Sequence, residues 1–447
     1  MDKIKEIIKS KLNNNSLGEI YVLLSSMHPA DLAELLQEMD IQESGLILKI
    51  LDDEKAAMVL QEMDPSDQSL LVRFLGKERS SQILEEMFSD DVADLLGELP
   101  EAEAQELIDL MEEGEEVQEL LDYDEDTAGG IMTTEYIALE ADLSVEKAVL
   151  HLRETAPDAE TIYYVYVVDK EEHLLGVLSL RDLIVASPKT PLKEIMKTKI
   201  ISVDVGTDQE NVAKVVAKYD LLAVPVIDRE NHLLGIVTVD DVIDVIEEEA
   251  TEDIYRLAGG IETQDEDRLI LSLYHSVRAR LPWLLVTLVG GILSGSVIKN
   301  FTDVLDSVVA LAYFMPLIAG MGGNVGTQSS TLMVRGLATG QVDTQSTWRN
   351  LFREMLVGLV IGFVCGSLVA LVAYFWQGKV VLGFIVGTAM AANILSAAII
   401  GTLVPLVFRR IGVDPAVASA PFISTTIDIT GLSIYFTLTT LLIKNLL

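Results

Sequence analysis

Apolar positions recur along this chain in three successive rhythms. From about residue 30 to 112 the period is about twelve. The blocks 32–40, 44–52, 56–64, 68–76, 80–88 and 92–100 each place apolar residues at their fourth, fifth and eighth positions, from Leu35, Leu36 and Met39 to Leu95, Leu96 and Leu99. Those offsets mark one face of a helix of two to three turns. Turn and N-cap residues, such as Asp64-Pro65-Ser66 and Ser89-Asp90-Asp91, separate the blocks. So short a unit cannot bury its face alone, and the pattern predicts an α-solenoid.

From about 131 to 250 a longer unit occurs twice. Ile131-Met132 matches Ile195-Met196, the strand-like 163–169 (YYVYVVD) matches 222–228 (LAVPVID), and His173-Leu174-Leu175-Gly176 matches His232-Leu233-Leu234-Gly235. The copies end in 177–182 (VLSLRD) and 236–241 (IVTVDD). Each reads as strand, turn, strand, then Ser or Thr, two residues, Asp and a helix. This resembles a tandem pair of cystathionine-β-synthase (CBS) domains, whose clefts often accept adenine nucleotides. Ser179 with Asp182 and Thr238 with Asp241 either hold a ribose or cap the following helix.

The third rhythm is a series of long apolar stretches, at about 281–298, 304–334, 354–376, 380–408 and 416–443, each able to cross a hydrocarbon core of about 30 Å. Arg278 and Arg280 precede the first, Arg335, Arg349 and Arg353 separate the second and third, and Arg409 and Arg410 separate the fourth and fifth. Only Lys299, Lys379 and Lys444 lie at the other ends. The positive-inside rule therefore expects the N-terminal body in the cytoplasm and the C-terminus outside. Residues 1–10 lack the apolar core and cleavage site of a secretory signal. Cys365, the single cysteine, lies inside a span and reads as a small apolar filler.

Charge follows the same division. Residues 1–280 hold 64 of the 70 acids, and residues 281–447 hold only 6. An acidic body argues against nucleic-acid binding, which needs a basic footprint, and fits cation binding. Asp241, Asp244, Glu248 and Glu252 are spaced 3, 4 and 4 apart on one face of an acidic helix at about 239–258, with Val242, Val245 and Ile246 on another. Bound cations would cancel the repulsion among such carboxylates.

One carboxylate, Asp428, lies deep in the last span, about twelve residues or roughly 18 Å along it. An ionisable group at that depth points to a functional site. Around it stand Pro421, Ser424, Thr425, Thr426 and Thr430, and the second span carries Pro316, Gly323, Asn324, Thr327 and Gln328. Small residues also serve helix packing; with an intramembrane Asp beside them, a pore is the stronger reading. The available ligands are all hard oxygens, without the His or Cys groups that select zinc or copper. Mg²⁺ gives up its waters reluctantly, so one carboxylate per subunit suits a largely hydrated Mg²⁺, and a symmetric dimer would bring two copies of Asp428 to its axis.

The order of these regions, and the segments 315–328 (MPLIAGMGGNVGTQ) and 420–435 (APFISTTIDITGLSIY), resemble the MgtE-type magnesium channels. The resemblance implies a multidomain membrane protein: an acidic α-solenoid over 1–128, tandem α/β CBS domains over 129–250, an acidic linking helix over 251–280 and a five-helix transmembrane pore domain over 281–447. It implies a homodimer in the plasma membrane, selective for Mg²⁺ and closed by Mg²⁺ on the cytosolic side. Asp428 then matches the selectivity carboxylate and Asp414 a loop acid near the pore. Asp90 and Asp94 match metal-facing acids of the solenoid, while Glu210, Ala217 (through its carbonyl) and Asp220 match ligands of the second CBS copy. Asp241, Asp244, Glu249, Glu252 and Asp253 match the CBS edge and linking helix. Met58 stands where the family can have Glu. For ATP at the CBS pair, Tyr164, Ser179, Arg181 and Asp182 fit the cleft, but Leu221 replaces a possible aromatic stacker. Two other readings stand beside the channel: an ion-coupled divalent-cation transporter, and a non-transporting membrane sensor of nucleotide. An enzyme is the weakest reading, since the sequence offers no nucleophile–base constellation and no P-loop.

Overall fold

In a computed structural model, the described residues are 2–14, 16–112, 114–155, 159–258, 269–338, 342, 347–417 and 420–443. The chain divides into two compact units, Met1–Glu248 and Glu249–Leu447.

The first unit begins with α1 (Asp2–Asn13), α2 (Leu17–Leu24), α3 (Pro29–Gln37), α4 (Ile41–Leu48), α5 (Asp53–Gln61), α6 (Pro65–Leu75), α7 (Lys77–Leu84), α8 (Ser89–Gly97), α9 (Glu101–Ile108) and α10 (Gly114–Leu120). From α3 onward each helix packs on the one two places ahead, α3 on α5, α4 on α6 and so on to α8 on α10, which is solenoid stacking. The fourth, fifth and eighth residues of every twelve-residue block are buried. The first position also has a role in three blocks. The buried Ser44, Gln68 and Ser80 donate to the carbonyls of Leu36, Leu60 and Val72, the fifth residue of the preceding block, at 2.8, 2.7 and 2.8 Å. Each of these carbonyls lies in the last turn of its helix and also accepts a backbone N–H, from Met39, Met63 and Gly76, so the side-chain donor adds a second bond that ties one helix to the next.

The Ser89-Asp90-Asp91 segment differs from its expected role as a cap. Ser89 is the first residue of α8, and Phe88, which has no acceptor in its side chain, holds the cap position. A carboxylate from the duplicated region substitutes: Glu135 Oε1 accepts from Ser89 N at 3.0 Å and Glu135 Oε2 from Ser89 Oγ at 2.8 Å.

The duplicated region forms two three-stranded sheets, β1 (Ala138–Glu140), β2 (Tyr164–Val168) and β3 (Leu174–Ser179), then β4 (Val203–Asp204), β5 (Ala223–Ile227) and β6 (Leu233–Thr238). In both, the first strand is parallel to the second and the second antiparallel to the third, with the register slipping at Val167/Val168 and again at Val226/Ile227. Between them lie α11 (Val145–Thr155), α12 (Leu180–Val185), α13 (Leu192–Ile195) and α14 (Gln209–Tyr219). The copies meet at their hairpins, where the His173 and His232 rings stack with centroids 4.4 Å apart. Directly after β6 starts α15 (Val239–Ala258), so residue 250 lies within one continuous helix.

The second unit contains α16 (Leu269–Asn300), α17 (Thr302–Ser307), a 3₁₀ turn (Val309–Phe314), α18 (Met315–Ala338), α19 (Thr347–Gln377), α20 (Val380–Arg410), a 3₁₀ turn (Pro415–Val417) and α21 (Ala420–Ile443). Four stretches of the described residues, Arg280–Asn300, Val309–Leu337, Trp348–Gln377 and Val380–Arg410, are long and apolar enough to cross a membrane. The fifth helix, α21, has 24 residues and carries the polar run around Asp428. Helices α18, α20 and α21 pack against one another, α19 against α20 and α16 against α21. The α18–α20 contact is backbone on backbone: a Cβ on Gly401 would lie 2.3 Å from the Gly326 carbonyl oxygen. Trp348 and Trp376, both exposed, mark the two ends of α19. At 1.5 Å per residue they are about 42 Å apart, the span of a bilayer with its interfaces, where tryptophan concentrates.

The backbone refines the reading of the spans and corrects the depth of Asp428. The stretch 304–334 is not one helix, because the chain turns non-helical at Val308 (φ −143°, ψ 78°) before the 3₁₀ turn. Pro316 and Pro421 are each the second residue of their helices, where no N–H is needed, so neither interrupts a helix. Asp428 consequently lies eight residues from the start of α21, about 12 Å along its axis rather than 18 Å.

Candidate functional site

The acidic residues of the first unit converge where the solenoid meets the CBS region. Asp90 and Asp91 stand in the first turn of α8, Asp240 and Asp241 in the first turn of α15, and Glu160 in the segment leading to β2. Carboxylate oxygens of Glu160, Asp240 and Asp241 lie within 4.8 Å of one another. Asp90 is only 7% exposed, and Glu160 Oε2 is buried without a hydrogen-bond partner.

Such crowding opposes ionisation. Burial drives the Asp90 carboxyl well above its ordinary range, with Asp91, Asp241 and Glu160 adding repulsion. Burial lifts Asp91 to about 7 although Gln61 Nε2 donates to it at 2.7 Å. Glu160 rises to about 8 through burial and the charge of Asp241. Asp241 is raised by burial, moderated by the Thr238 hydroxyl 2.5 Å away. Burial and Glu247 raise Asp244. Asp94 is raised by its crowded surroundings and by Glu248 and Glu125, but its own side chain reaches solvent, which tempers the effect. An all-oxygen set this dense suits a hard divalent cation.

The structure thus brings together Asp90 and Asp241 with Asp91, Asp240 and Glu160, three residues not among the expected ligands. The expected ligands of α14 are not gathered in this way. Glu210 and Ala217 share a face, whereas Asp220 is the left-handed C-cap with φ 51°. Asp220 is about 15 Å from Glu210 along the axis, so one ion within a protomer cannot take both carboxylates. Glu210 also pairs with Lys214 at 2.6 Å. Glu249, Glu252 and Asp253 follow on α15. Arg256 pairs with both Glu252 and Asp414. Met58 is exposed on α5.

At the nucleotide positions, Ser179 and Asp182 form a complete capping box on α12, and Thr238 with Asp241 repeats its side-chain bond. The Ser179 hydroxyl is the main cause that holds Asp182 below the ordinary carboxylate range. Tyr164 is half-buried on β2, Arg181 is exposed, and Leu221 packs on the apolar core.

In the second unit, Asp428 is half-buried on α21. Gly323 of α18 faces this helix at Ser424, where a Cβ would make an ordinary contact at 3.4 Å from Ser424 Cβ. The side chain of Thr425 packs on α16 at Gly290. Thr426, Thr430 and Ser433 donate to carbonyls four residues back, and Ser424 donates to the carbonyl of Pro421 at 3.2 Å, so these hydroxyl hydrogens are engaged within α21. Thr327 is half-buried, while Asn324 and Gln328, one turn apart on α18, are exposed in the single chain. Polar side chains on a membrane helix need water or a protein partner.

Family models cover most of the chain: the MgtE intracellular N domain matches residues 27–126, the CBS domain 128–189 and 192–248, and the MgtE divalent cation transporter domain 315–438. A relative from Thermus thermophilus, magnesium transporter MgtE, is 42% identical over 452 residues, covering 99% of each chain. The chain belongs to the MgtE family. The Enterococcus faecalis magnesium transporter MgtE is 45% identical over 334 residues, 74% of this chain and 73% of its own. Among solved structures, the cytosolic domain of the Mg²⁺ channel MgtE in complex with ATP is 44% identical with a TM-score of 0.52, covering 53% of this chain and 98% of that one. The family and the apolar helices make this a multi-pass membrane protein.

Proposed function

We propose that the chain carries Mg²⁺ across the plasma membrane through a channel and closes when Mg²⁺ fills its acidic cluster. The solenoid, CBS pair and α15 face the cytoplasm, the C-terminus lies outside, and the working form is a homodimer. The observation that carries the gating part is the burial of Asp90, Asp91, Glu160 and Asp241 against one another. Two charges 4 Å apart repel by about 1–4 kcal/mol at effective dielectrics of 80 to 20. With the carboxylates ionised and no cation present, that repulsion favours separation of solenoid and CBS pair. Bound Mg²⁺ reverses the balance, each site adding RT ln(1+[L]/Kd) to the compact form. Several weak sites together reach the roughly 5.5 kcal/mol that moves an equilibrium from 1:99 to 99:1.

For the pore, Asp428 is the selectivity carboxylate and two copies face each other across the dimer axis. Gly323, Asn324, Thr327 and Gln328 of α18 and Pro421, Ser424 and Thr425 of α21 shape the path. The exposure of Asn324 and Gln328 in a single chain fits a surface completed by the second copy and by water. Asp414, Asp94, Asp244, Glu249, Glu252 and Asp253 extend the sensor, and Glu210, Ala217 and Asp220 contribute ligands where two copies meet. The CBS pair takes ATP, as the solved cytosolic relative does, with Tyr164, Ser179, Arg181, Asp182 and Leu221 at the cleft.

The test is Mg²⁺ uptake into liposomes by wild type, Asp428→Asn and Asp428→Ala, at low and high Mg²⁺ on the cytosolic face. Uptake lost in both variants, and suppressed by cytosolic Mg²⁺ in wild type, supports pore and sensor together. Variants that conduct like wild type would remove Asp428 from the pore. A current that fails to reverse at the Mg²⁺ equilibrium potential would favour ion-coupled transport instead.

A further inference from the structure

Asn393 lies in the middle of α20, an otherwise apolar helix, and is 1% exposed. Its Nδ2 donates to the carbonyl of Ile318 on α18 at 2.6 Å, while its Oδ1 is buried without a hydrogen-bond partner. The amide orientation follows from that contact, since the reverse would set two oxygens against each other. Two glycines make room for the side chain. A Cβ on Gly322 of α18 would lie 2.5 Å from Asn393 Nδ2, and a Cβ on Gly431 of α21 would lie 2.3 Å from Asn393 Oδ1. In Gly431 that position holds a hydrogen, so the oxygen meets a Cα–H group, a contact weaker than an N–H donor would give.

A buried polar atom with no donor is costly inside a membrane protein, and an apolar side chain of similar size would avoid the cost. The amide is wedged between the two helices that carry the pore residues. Gly322 immediately precedes Gly323 and Asn324, and Gly431 is three residues, less than one turn, beyond Asp428. We propose that Asn393 is a positioning residue for ion selection: it clamps α18 and α21 at the level of Asn324 and Asp428 and fixes the width available to the hydrated ion. The inference rests on Asp428 being the selectivity carboxylate.

Asn393→Ala removes the clamp, and Gly431→Ala presses a methyl group onto it from the opposite side. Each is reconstituted at full length, and Mg²⁺ and Ca²⁺ uptake are measured per inserted protein beside wild type and Asp428→Asn. The expected result is a fall in the Mg²⁺/Ca²⁺ uptake ratio of about tenfold with a raised KM for Mg²⁺, less than the roughly hundredfold that a 1 Å misplacement of reacting groups can cost. A wild-type ratio and KM with reduced yield alone would make Asn393 a folding residue and overturn the proposal, as would failure of both variants to insert. If Asp428→Asn itself conducts with wild-type selectivity, the pore reading fails first. If Asp428→Asn is inactive and both clamp variants select like wild type, the pore reading stands and this inference falls.

Discussion

The Arg256 guanidinium near the end of α15 donates to the Asp414 carboxylate just before the turn that leads into α21, across 158 residues of sequence. The same guanidinium meets Glu252 one turn back on its own helix. A fixed cation therefore stands between two acids that the family resemblance assigns to Mg²⁺.

Arg256→Gln should leave these carboxylates to a mobile cation. Half-exposed pairs of this kind are worth about 0.2–1 kcal/mol, so the cytosolic Mg²⁺ concentration that halves conduction should fall by up to about fivefold. Single-channel recording with Mg²⁺ titrated on the cytosolic face reads it directly. An unchanged midpoint would separate this ion pair from gating.

Protons should substitute in part for Mg²⁺. Asp91 and Glu160 have raised pKa values of about 7 and 8 in the compact arrangement, so that arrangement binds protons which a separated one releases. Its stability is then full below the ordinary carboxylate range, near pH 4, and declines as pH rises through 7 to 8. Without divalent cations, the Ser89 amide bonded to Glu135 should exchange hydrogen faster at pH 8 than at pH 6 after correction for intrinsic rate. Mg²⁺ at pH 8 should restore protection.

Asp90→Asn removes one buried carboxyl that resists ionisation, without changing shape. The cation-free compact form should gain on the order of 1–4 kcal/mol for each close pair relieved, and small-angle scattering should show it compact without Mg²⁺. Calorimetry should find fewer or weaker Mg²⁺ sites. A variant that still expands fully on Mg²⁺ removal would place the decisive repulsion elsewhere.

The solenoid makes a simpler stability prediction. Ser80→Ala deletes the donor to the Val72 carbonyl and should lower stability to denaturant by about 1 kcal/mol, the ordinary net value of such a bond. Ser44→Ala should do the same at Leu36.

The solenoid and the CBS pair were legible in the sequence because their information is periodic. A twelve-residue block repeats its burial, and two copies of one unit repeat their strands and even their register slip. The second span was less legible: hydropathy registers apolarity but not the backbone turn at Val308, and a proline at a helix start looks like one that breaks a helix. Glu160 was hidden for another reason. It lies in no motif and is 81 residues from Asp241, so only the docking of α15 beside the strands makes it a neighbour. Asn393 stands in the sequence as a single polar residue in an apolar run, because nothing there tells which side of a membrane helix faces two glycines.

With the chain placed in the membrane as proposed above, the separation of Trp348 and Trp376 would give the lipid a part in this protein's behaviour. A helix anchored by exposed indoles at both ends has a preferred bilayer thickness, and a thinner membrane makes it tilt. Because α19 packs along α20, and α20 touches α18 backbone to backbone at Gly326 and Gly401, a tilt of the outer helix would be passed to the helices around Asp428. Acyl-chain length thereby becomes a variable to which ion flow should respond, independent of any change in the cytosolic acids.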